Sequence, residues 1–169
     1  AGTITIANKA TITKKASLMS WDKEIQELQH RNTLAEAMGG AEKVARQHAF
    51  GKLSIRERIA AVVDPGSFYE VGKLAGVGQY DADGNLISFM PANFVFGTAE
   101  IDGRPVIISG DDFTVRGGSA DASIAGKRLQ AEGLASELAL PHVRLVDGMG
   151  GGGSVKTIET AGRTYIPAI

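Results

Sequence analysis

The second half of the chain carries the pattern strand, strand, long helix, strand. Two β-rich runs, residues 93–101 and 104–109, flank Asp102-Gly103, which is the two-residue signal for a tight hairpin. A helix is predicted for residues 119–140 and a short apolar strand for residues 143–146. Because strand, helix and strand form a βαβ unit, this half is expected to be α/β with a partly parallel sheet.

The first third of the chain is predicted to be a helical arm. Apolar residues recur at helical spacing over residues 21–38 until Gly39-Gly40 stops the pattern, and a second short helix is predicted for residues 41–48. A third helix is predicted to begin at Ser54, because its hydroxyl and Glu57 three residues later form a capping-box signature. The helical arm therefore precedes the β-rich part.

These patterns divide the chain into three segments. Residues 1–20 are interpreted as a tail, an added edge strand or the remnant of a targeting segment, residues 21–66 as the helical arm, and residues 67–169 as the α/β part. Within the last segment, residues 68–71 are expected to form a brief strand and residues 76–85 a loop.

The composition excludes several classes of function. Eighteen Lys and Arg against nineteen Asp and Glu leave no one-sided basicity, so nucleic acid is not expected as a partner. The absence of cysteine removes thiol nucleophiles and thiolate zinc sites, and the three histidines show no ligand spacing, so no metal site is expected. No run approaches the ~20 apolar residues of a membrane span, so no membrane partner is expected.

A loop made almost entirely of glycine follows the last predicted strand, at residues 148–153. This loop can bind a ligand only through its backbone N–H groups, which donate hydrogen bonds to anions. They can approach a ligand closely because glycine has no Cβ. The loop matches the dinucleotide fingerprint G-x-G-x-x-G without the acidic residue about 20 positions later, and Lys156 stands two positions late for a phosphate-binding loop. A nucleotide-binding turn, a flexible linker and an oxyanion hole for a carbonyl oxygen that gains charge all stay open.

Several motifs, in chain order, resemble the carboxyltransferase subunits of biotin-dependent acyl-CoA carboxylases. They are GKLSIRERI at residues 51–59, DPGSFYE at residues 64–70, GTAEIDGRPV at residues 97–106, DFTVRGGS at residues 112–119, the lysine-bearing helix, and residues 144–160. The resemblance covers the chain from about Glu24 onward and points to the propionyl-CoA and methylcrotonyl-CoA carboxylase group.

The resemblance implies a fold, a substrate and partners. The fold is a crotonase-like (ClpP/crotonase) α/β superhelix of ββα units, of which this chain holds a partial domain preceded by the helical arm. In this family the amino-terminal domain binds the acyl-CoA thioester, and a carboxy-terminal domain supplied by a partner subunit binds carboxybiotin. The implied partners are that domain, sister subunits in a homo-oligomer such as the family's hexamer, and a biotin carboxylase or biotin carrier subunit. The implied location is the cytoplasm, or the mitochondrial matrix in a eukaryote.

The resemblance also implies the chemistry. Carboxybiotin releases its carboxyl group as carbon dioxide, the freed ureido nitrogen takes the α-proton of the thioester, and the resulting enolate attacks the carbon dioxide. No protein base or nucleophile is required. The enolate oxygen is held by two backbone N–H groups among Gly150, Gly151, Gly152 and Gly153.

Acyl-CoA carries phosphates, so basic residues are expected near the thioester site. By the same resemblance the CoA-binding candidates are Gly117 and Gly118, in a loop that follows a predicted strand, together with Arg116, Lys127 and Arg128. For Lys127 and Arg128 the alternative is a solvated helix face. The two glycine loops are expected to line one site, because ligands of such sheets bind beyond the carboxyl ends of the strands.

Two other functions stay open. An enoyl-CoA hydratase or isomerase would share the fold and the oxyanion hole but would need glutamates that project into the site. A non-catalytic accessory chain would bind CoA or scaffold a carboxylase complex. The chain is expected to be part of a larger subunit and to have no carboxylase activity alone.

Overall fold

A computed structural model of the chain describes residues 20–118 and 126–147. The three helices of the arm are found where the sequence predicted them: α1 at Asp22–Glu36, α2 at Ala41–Ala49 and α3 at Ile55–Val62. The arm residues therefore form helices that lead into the first strand of the sheet.

The start of α3 shows why its sequence is helical. The N–H and the hydroxyl of Ser54 both donate to Glu57 Oε2 at 2.7 Å, and the Ser54 Oγ accepts from the Glu57 N–H. This reciprocal capping box satisfies N–H groups that have no partner inside the helix, and it confirms the predicted start.

The described residues contain a four-stranded and a two-stranded sheet. The strands are β1 at Tyr69–Glu70, β2 at Gly76–Tyr80, β3 at Leu86–Pro91, β4 at Phe94–Ile101, β5 at Arg104–Asp111 and β6 at His142–Leu145. The larger sheet has the order β1-β4-β5-β6, in which β4 is antiparallel to β1 and β5, and β6 is parallel to β5.

Helix α4, at Gly126–Glu137, lies between β5 and β6 along the chain, so the predicted βαβ unit is confirmed. The helix was predicted to extend to residue 140, but it ends at Glu137. Ala139, two residues later, has a positive φ of 52°. The predicted start of this helix lies outside the described residues.

The predicted hairpin between β4 and β5 is confirmed. Asp102 and Gly103 have φ values of 50° and 71°, and two positive φ values in a two-residue turn match the twist of the flanking strands. The carboxylate of Asp64, in the turn after α3, accepts from the N–H groups of Asp102 at 3.1 Å and Gly103 at 2.8 Å. The arm thereby fixes the tip of the hairpin.

The prediction of a loop at residues 76–85 is wrong for its first half. Gly76–Tyr80 is strand β2, which pairs antiparallel with β3, and only the following turn lacks strand structure. A Cβ on Gly76 would overlap the carbonyl oxygen of Met90 on the partner strand. This glycine therefore allows two strands to approach closely, whereas the sequence pattern indicated a chain break.

The core lies on both faces of the larger sheet. On one face the residues buried with α3 are Ile55, Ile59, Val63, Val95, Ala99, Val106 and Ile108. On the other face the residues buried with α4 are Phe94, Phe96, Ile107, Ala131 and Ala135. Neighbouring residues of β4 and β5 alternate between the two sets, as the two-residue period of a strand requires. The sheet is thus covered by α3 on one side and α4 on the other.

Candidate functional site

The predicted oxyanion-hole residues Gly150, Gly151, Gly152 and Gly153 lie outside the described residues. Arg116, Gly117 and Gly118 form a short 3-10 turn after β5, and all three have φ values between 53° and 65°. Glycine takes such values at little cost, which accounts for the glycine pair here. The turn lies beyond the carboxyl end of β5, where ligands of such sheets bind.

Asp112 braces the loop that carries this turn. Its Oδ1 accepts from the Thr114 N–H at 2.9 Å and from the Thr114 hydroxyl at 2.6 Å. Burial raises the pKa of Asp112, and the two hydrogen bonds from Thr114 oppose that rise. The Thr114 hydroxyl oxygen also accepts from the Gly39 N–H at 3.0 Å, so the loop is tied to the segment between α1 and α2.

Lys127 points inward from α4. Its ammonium lies 3.9 Å from Glu70 Oε1 and 6.0 Å from the centre of the Phe96 ring, and its side chain is 6% exposed. Glu70 also accepts two hydrogen bonds from Arg56, at 2.7 and 3.1 Å. Burial lowers the pKa of Lys127 to about 8, and the negative charge of Glu70 opposes this shift. The solvated-face alternative is therefore wrong for Lys127.

Arg128 is held in an ion pair. Its NH2 donates to Asp111 Oδ1 at 2.7 Å and to the Gly118 carbonyl oxygen at 3.3 Å, and its side chain is only 13% exposed. Arg144 NH2 lies 3.6 Å from the other oxygen of Asp111. The solvated-face alternative is wrong here too, because Arg128 ties α4 to the Gly117-Gly118 turn.

A basic cavity of about 730 Å³ opens beside this turn. Its lining residues are Lys43, Arg46, Gln47, Phe50, Lys52, Phe113, Thr114, Arg116 and Gly117. Lys43, Arg46, Gln47 and Phe50 follow the i, i+3, i+4 and i+7 spacing of one helix face, so they share one side of α2 and its carboxyl end. The loop after β5 forms the opposite wall. We refer to this space below as the basic cavity.

The basic cavity has the chemistry of a site for a phosphorylated ligand. Four of its described lining residues are Lys or Arg, and none of the described ones is acidic. Phe50 and Phe113 add aromatic surface, and the Lys52 ammonium lies 5.4 Å from the centre of the Phe113 ring. Its volume is within the range of roughly 300–1,000 Å³ that small-molecule sites occupy. Cations provide affinity for phosphate, and aromatic faces suit a planar base.

Sequence reasoning identified two members of this cavity, Arg116 and Gly117, and missed Lys43, Arg46 and Lys52. Part of this site could have been inferred from the sequence, because Lys43, Arg46 and Phe50 recur at helical spacing. The pairing of this helix face with the loop after β5 is a tertiary feature that no local pattern predicts.

Asp147, the last described residue before the glycine loop, is held by the arm. Its Oδ2 accepts from Gln47 Nε2 at 3.3 Å and lies 3.9 Å from Arg58 NH1, and its Oδ1 lies 3.4 Å from Lys52 Nζ. A second cavity of about 330 Å³ is lined by Lys52, Leu53, Arg58, Val146 and Asp147. Lys52 therefore borders both cavities, and the second one lies where the chain enters the glycine loop.

The described histidines and serines offer no accessible nucleophile pair. Ser109 Oγ lies 2.8 Å from His142 Nε2, but Ser109 is fully buried and cannot reach a substrate. His48 pairs with Glu57 at 2.8 Å on the surface of the arm. Within residues 20–118 and 126–147, no group of three His, Cys, Asp or Glu residues could hold a metal ion. In the same residues, no helix has the length and apolar character needed to cross a bilayer.

The fold is α/β, and the lining of the basic cavity has the charge that suits a phosphorylated ligand. Residues 46–165 match the carboxyl transferase domain family, and the chain belongs to this family. Its fold is accordingly crotonase-like.

Similar proteins carry the same assignment. The chain is 37% identical over 128 residues to the propionyl-CoA carboxylase beta chain of Cereibacter sphaeroides, covering 75% of this chain and 25% of that protein. It is 34% identical over 132 residues to the biotin-dependent 3-methylcrotonyl-coenzyme A carboxylase beta1 subunit of Mycobacterium tuberculosis, covering 72% of this chain and 24% of that protein.

A similar solved structure is transcarboxylase 12S, a hexamer assembly with methylmalonyl-coenzyme A and methylmalonic acid bound. It matches with a TM-score of 0.67 and 32% identity over 78% of this chain and 26% of that one. The chain spans about a quarter of the length of each of these three proteins.

Proposed function

We propose that this chain forms the acyl-CoA-binding part of a carboxyltransferase that moves a carboxyl group from carboxybiotin to the α-carbon of an acyl-CoA. The observation that carries the proposal is the basic cavity beside the Gly117 turn, in a chain of the carboxyl transferase domain family. Lys43, Arg46, Lys52 and Arg116 bind the phosphates of CoA there. The acyl thioester extends from the cavity past Lys52 toward the glycine loop.

The glycine loop stabilises the reaction intermediate. Two backbone N–H groups among Gly150, Gly151, Gly152 and Gly153 donate to the enolate oxygen when the α-carbon loses its proton. Removing one such donor typically costs about 2.7–4 kcal/mol of transition-state stabilisation, so a loop without reactive side chains can carry much of the catalysis. Asp147, which the arm holds by three contacts, fixes the point where the chain enters this loop.

When bound, carboxybiotin would supply the carboxyl group, and its ureido nitrogen, once freed of that group, would accept the α-proton of the thioester. This chain therefore needs no general base of its own. A hydratase or isomerase would instead need glutamates that project toward the thioester, next to the glycine loop. In the smaller cavity that borders this loop, the described acid is an aspartate, Asp147, and Gln47, Lys52 and Arg58 contact its carboxylate.

Because this chain is proposed to bind only the acyl-CoA, other chains have to supply the rest of the reaction. A carboxyltransferase carboxy-terminal domain from a sister subunit completes the site, and a biotin carboxylase with a biotin carrier supplies the carboxyl group. In this proposal the biotin cofactor is carried by a partner chain.

Carboxylation of propionyl-CoA in the presence of bicarbonate and ATP tests the proposal. We expect no carboxylated product from the full chain alone, and product once the biotin carboxylase, the biotin carrier and the carboxy-terminal domain are added. Turnover by the chain alone would contradict the need for partners, and its failure in the complete mixture would contradict the function.

A proline scan of the glycine loop tests the oxyanion hole. Proline lacks the N–H, so Gly150→Pro, Gly151→Pro, Gly152→Pro and Gly153→Pro each remove one donor, and alanine at the same positions keeps it. Two of the four proline variants are expected to lose about 10²–10³-fold in kcat relative to their alanine counterparts. Equal kcat in every proline and alanine pair would eliminate this role for the loop.

A further inference from the structure

We infer that the basic cavity binds the adenosine 3′-phosphate end of CoA, and that Lys43 and Arg46 contact the 3′-phosphate. This inference rests on the proposed function and specifies which part of the substrate enters the cavity. Acyl-CoA has three chemically distinct parts: an acyl group, a neutral pantetheine arm, and a nucleotide end that carries the phosphates.

The charge of the cavity selects among these parts. Four Lys and Arg side chains line one cavity, and none of its described lining residues is acidic, so the cavity attracts an anion. A neutral pantetheine or an apolar acyl group would give these cations no partner charge. The nucleotide end, with its diphosphate and its 3′-phosphate, supplies that charge.

Lys43 and Arg46 are the side chains best suited to the 3′-phosphate. They lie one turn apart on the cavity face of α2, so both can contact one phosphate group. The buried acid Asp112, on which the positive charge of Lys43 acts, accepts two hydrogen bonds from Thr114 and does not line the cavity. Neither residue forms an ion pair with an acid elsewhere in the described part of the chain. Lys52 is different, because it is shared with Asp147.

The aromatic residues of the cavity suit the base. Phe50 follows α2 on the same face and is 71% exposed. Phe113 stands on the opposite wall, in the loop after β5. An adenine ring packed on Phe50 removes this apolar surface from water, with the phosphates placed against the cations of α2.

Calorimetric titration of the full chain with four ligands tests the inference. The ligands are CoA, 3′-dephospho-CoA, adenosine 3′,5′-bisphosphate and pantetheine. We expect adenosine 3′,5′-bisphosphate to bind and to compete with CoA, pantetheine to bind weakly, and loss of the 3′-phosphate to weaken CoA binding about tenfold or more.

Three variants locate the effect. Lys43→Gln and Arg46→Gln are expected to weaken CoA binding about tenfold and to leave 3′-dephospho-CoA nearly unchanged. Phe50→Ala is expected to weaken both nucleotides equally. Arg104→Gln, in an exposed residue at the start of β5 and outside the cavity, is the matched charge control and should bind all ligands as wild type does.

The titrations distinguish a failure of this inference from a failure of the proposed function. If CoA binds but the 3′-phosphate makes no difference, or if Lys43→Gln and Arg46→Gln bind CoA as wild type does, the inference is wrong and the proposed function stands. If wild type binds no CoA, the proposed function and the inference both fail.

Discussion

The ammonium of Lys52 lies 3.4 Å from the carboxylate of Asp147 and 5.4 Å from the centre of the Phe113 ring. One flexible side chain thus stands between the basic cavity and the entrance to the glycine loop. The Lys52 side chain is about half exposed, so it can move toward an anion in the cavity, and Asp147 keeps its contacts with Gln47 and Arg58.

Asp147 competes with a ligand phosphate for Lys52. Asp147→Asn removes that competing charge, so we expect adenosine 3′,5′-bisphosphate to bind about twofold to fivefold more tightly at low salt, and the gain to shrink at high salt because the charges are screened. Titration at two ionic strengths measures both effects. Weaker binding by the variant at low salt would show that Asp147 does not compete.

Burial of the Lys127 ammonium is expected to reduce the stability of the fold at neutral pH. Its pKa is about 8 in the folded chain and near 10.5 when exposed, so between these values the unfolded state binds more protons and wild-type stability rises with pH. Lys127→Met should therefore raise the free energy of unfolding by on the order of 2 kcal/mol at pH 7, and this advantage should shrink as the pH rises above 8.

Urea denaturation at pH 7 and pH 9 measures the difference. Glu70→Gln is the informative counterpart, because it leaves the ammonium of Lys127 and the guanidinium of Arg56 buried without their carboxylate. It should destabilise by about 3 kcal/mol or more. A destabilised Lys127→Met variant with the same pH profile as wild type would show that the ammonium is not desolvated.

Arg128 is expected to matter more for stability than for affinity. Arg128→Met leaves Asp111, which is 3% exposed, with only the longer contact to Arg144, so the free energy of unfolding should fall by about 3 kcal/mol. Under conditions where the variant is folded, its affinity for CoA should change less than that of Arg46→Gln. Thermal unfolding followed by titration compares the two, and a larger loss of affinity in Arg128→Met would place the guanidinium in the ligand site.

Gly39 allows the arm to approach the loop after β5. A Cβ on Gly39 would overlap the carbonyl oxygen of Thr114, so Gly39→Ala should destabilise by about 1–3 kcal/mol and weaken CoA binding by displacing one wall of the cavity. Gly133→Ala is the matched control, because its Cβ would meet no atom within 4 Å and lies in a helix, where alanine gains about 0.5–1 kcal/mol. Unfolding free energies that fall equally for both variants would contradict the close approach.

Local patterns predicted much of the fold. The capping box at Ser54, the Asp102-Gly103 turn and the strand that follows α4 depend on neighbouring residues, and all three are found as expected. Strand β2 was missed because its glycines resemble a chain break, whereas Gly76 is required by the carbonyl of Met90 on the opposite strand. The partner of a strand cannot be inferred from the strand's own composition.

The candidate site was less predictable for a physical reason. Lys127 and Arg128 resemble solvated helix residues until Glu70 and Asp111, which are distant in sequence, are seen to neutralise them. The basic cavity depends on the packing of α2 beside the loop after β5. The proposed role of Lys43 and Arg46 can therefore be inferred only from the fold. The glycine loop, by contrast, was recognised from sequence alone, and its predicted role stays a prediction.

Hydrogen–deuterium exchange of the full chain, with and without propionyl-CoA, tests the account most directly. We predict that the ligand protects amides of residues 43–52 and 113–118, which form the two walls of the basic cavity, and the glycine-rich residues 148–153. Residues 76–91 of the β2 and β3 hairpin should exchange at the same rate in both states. Protection confined to that hairpin, or no change at either wall of the cavity, would contradict the claim that this chain binds acyl-CoA there.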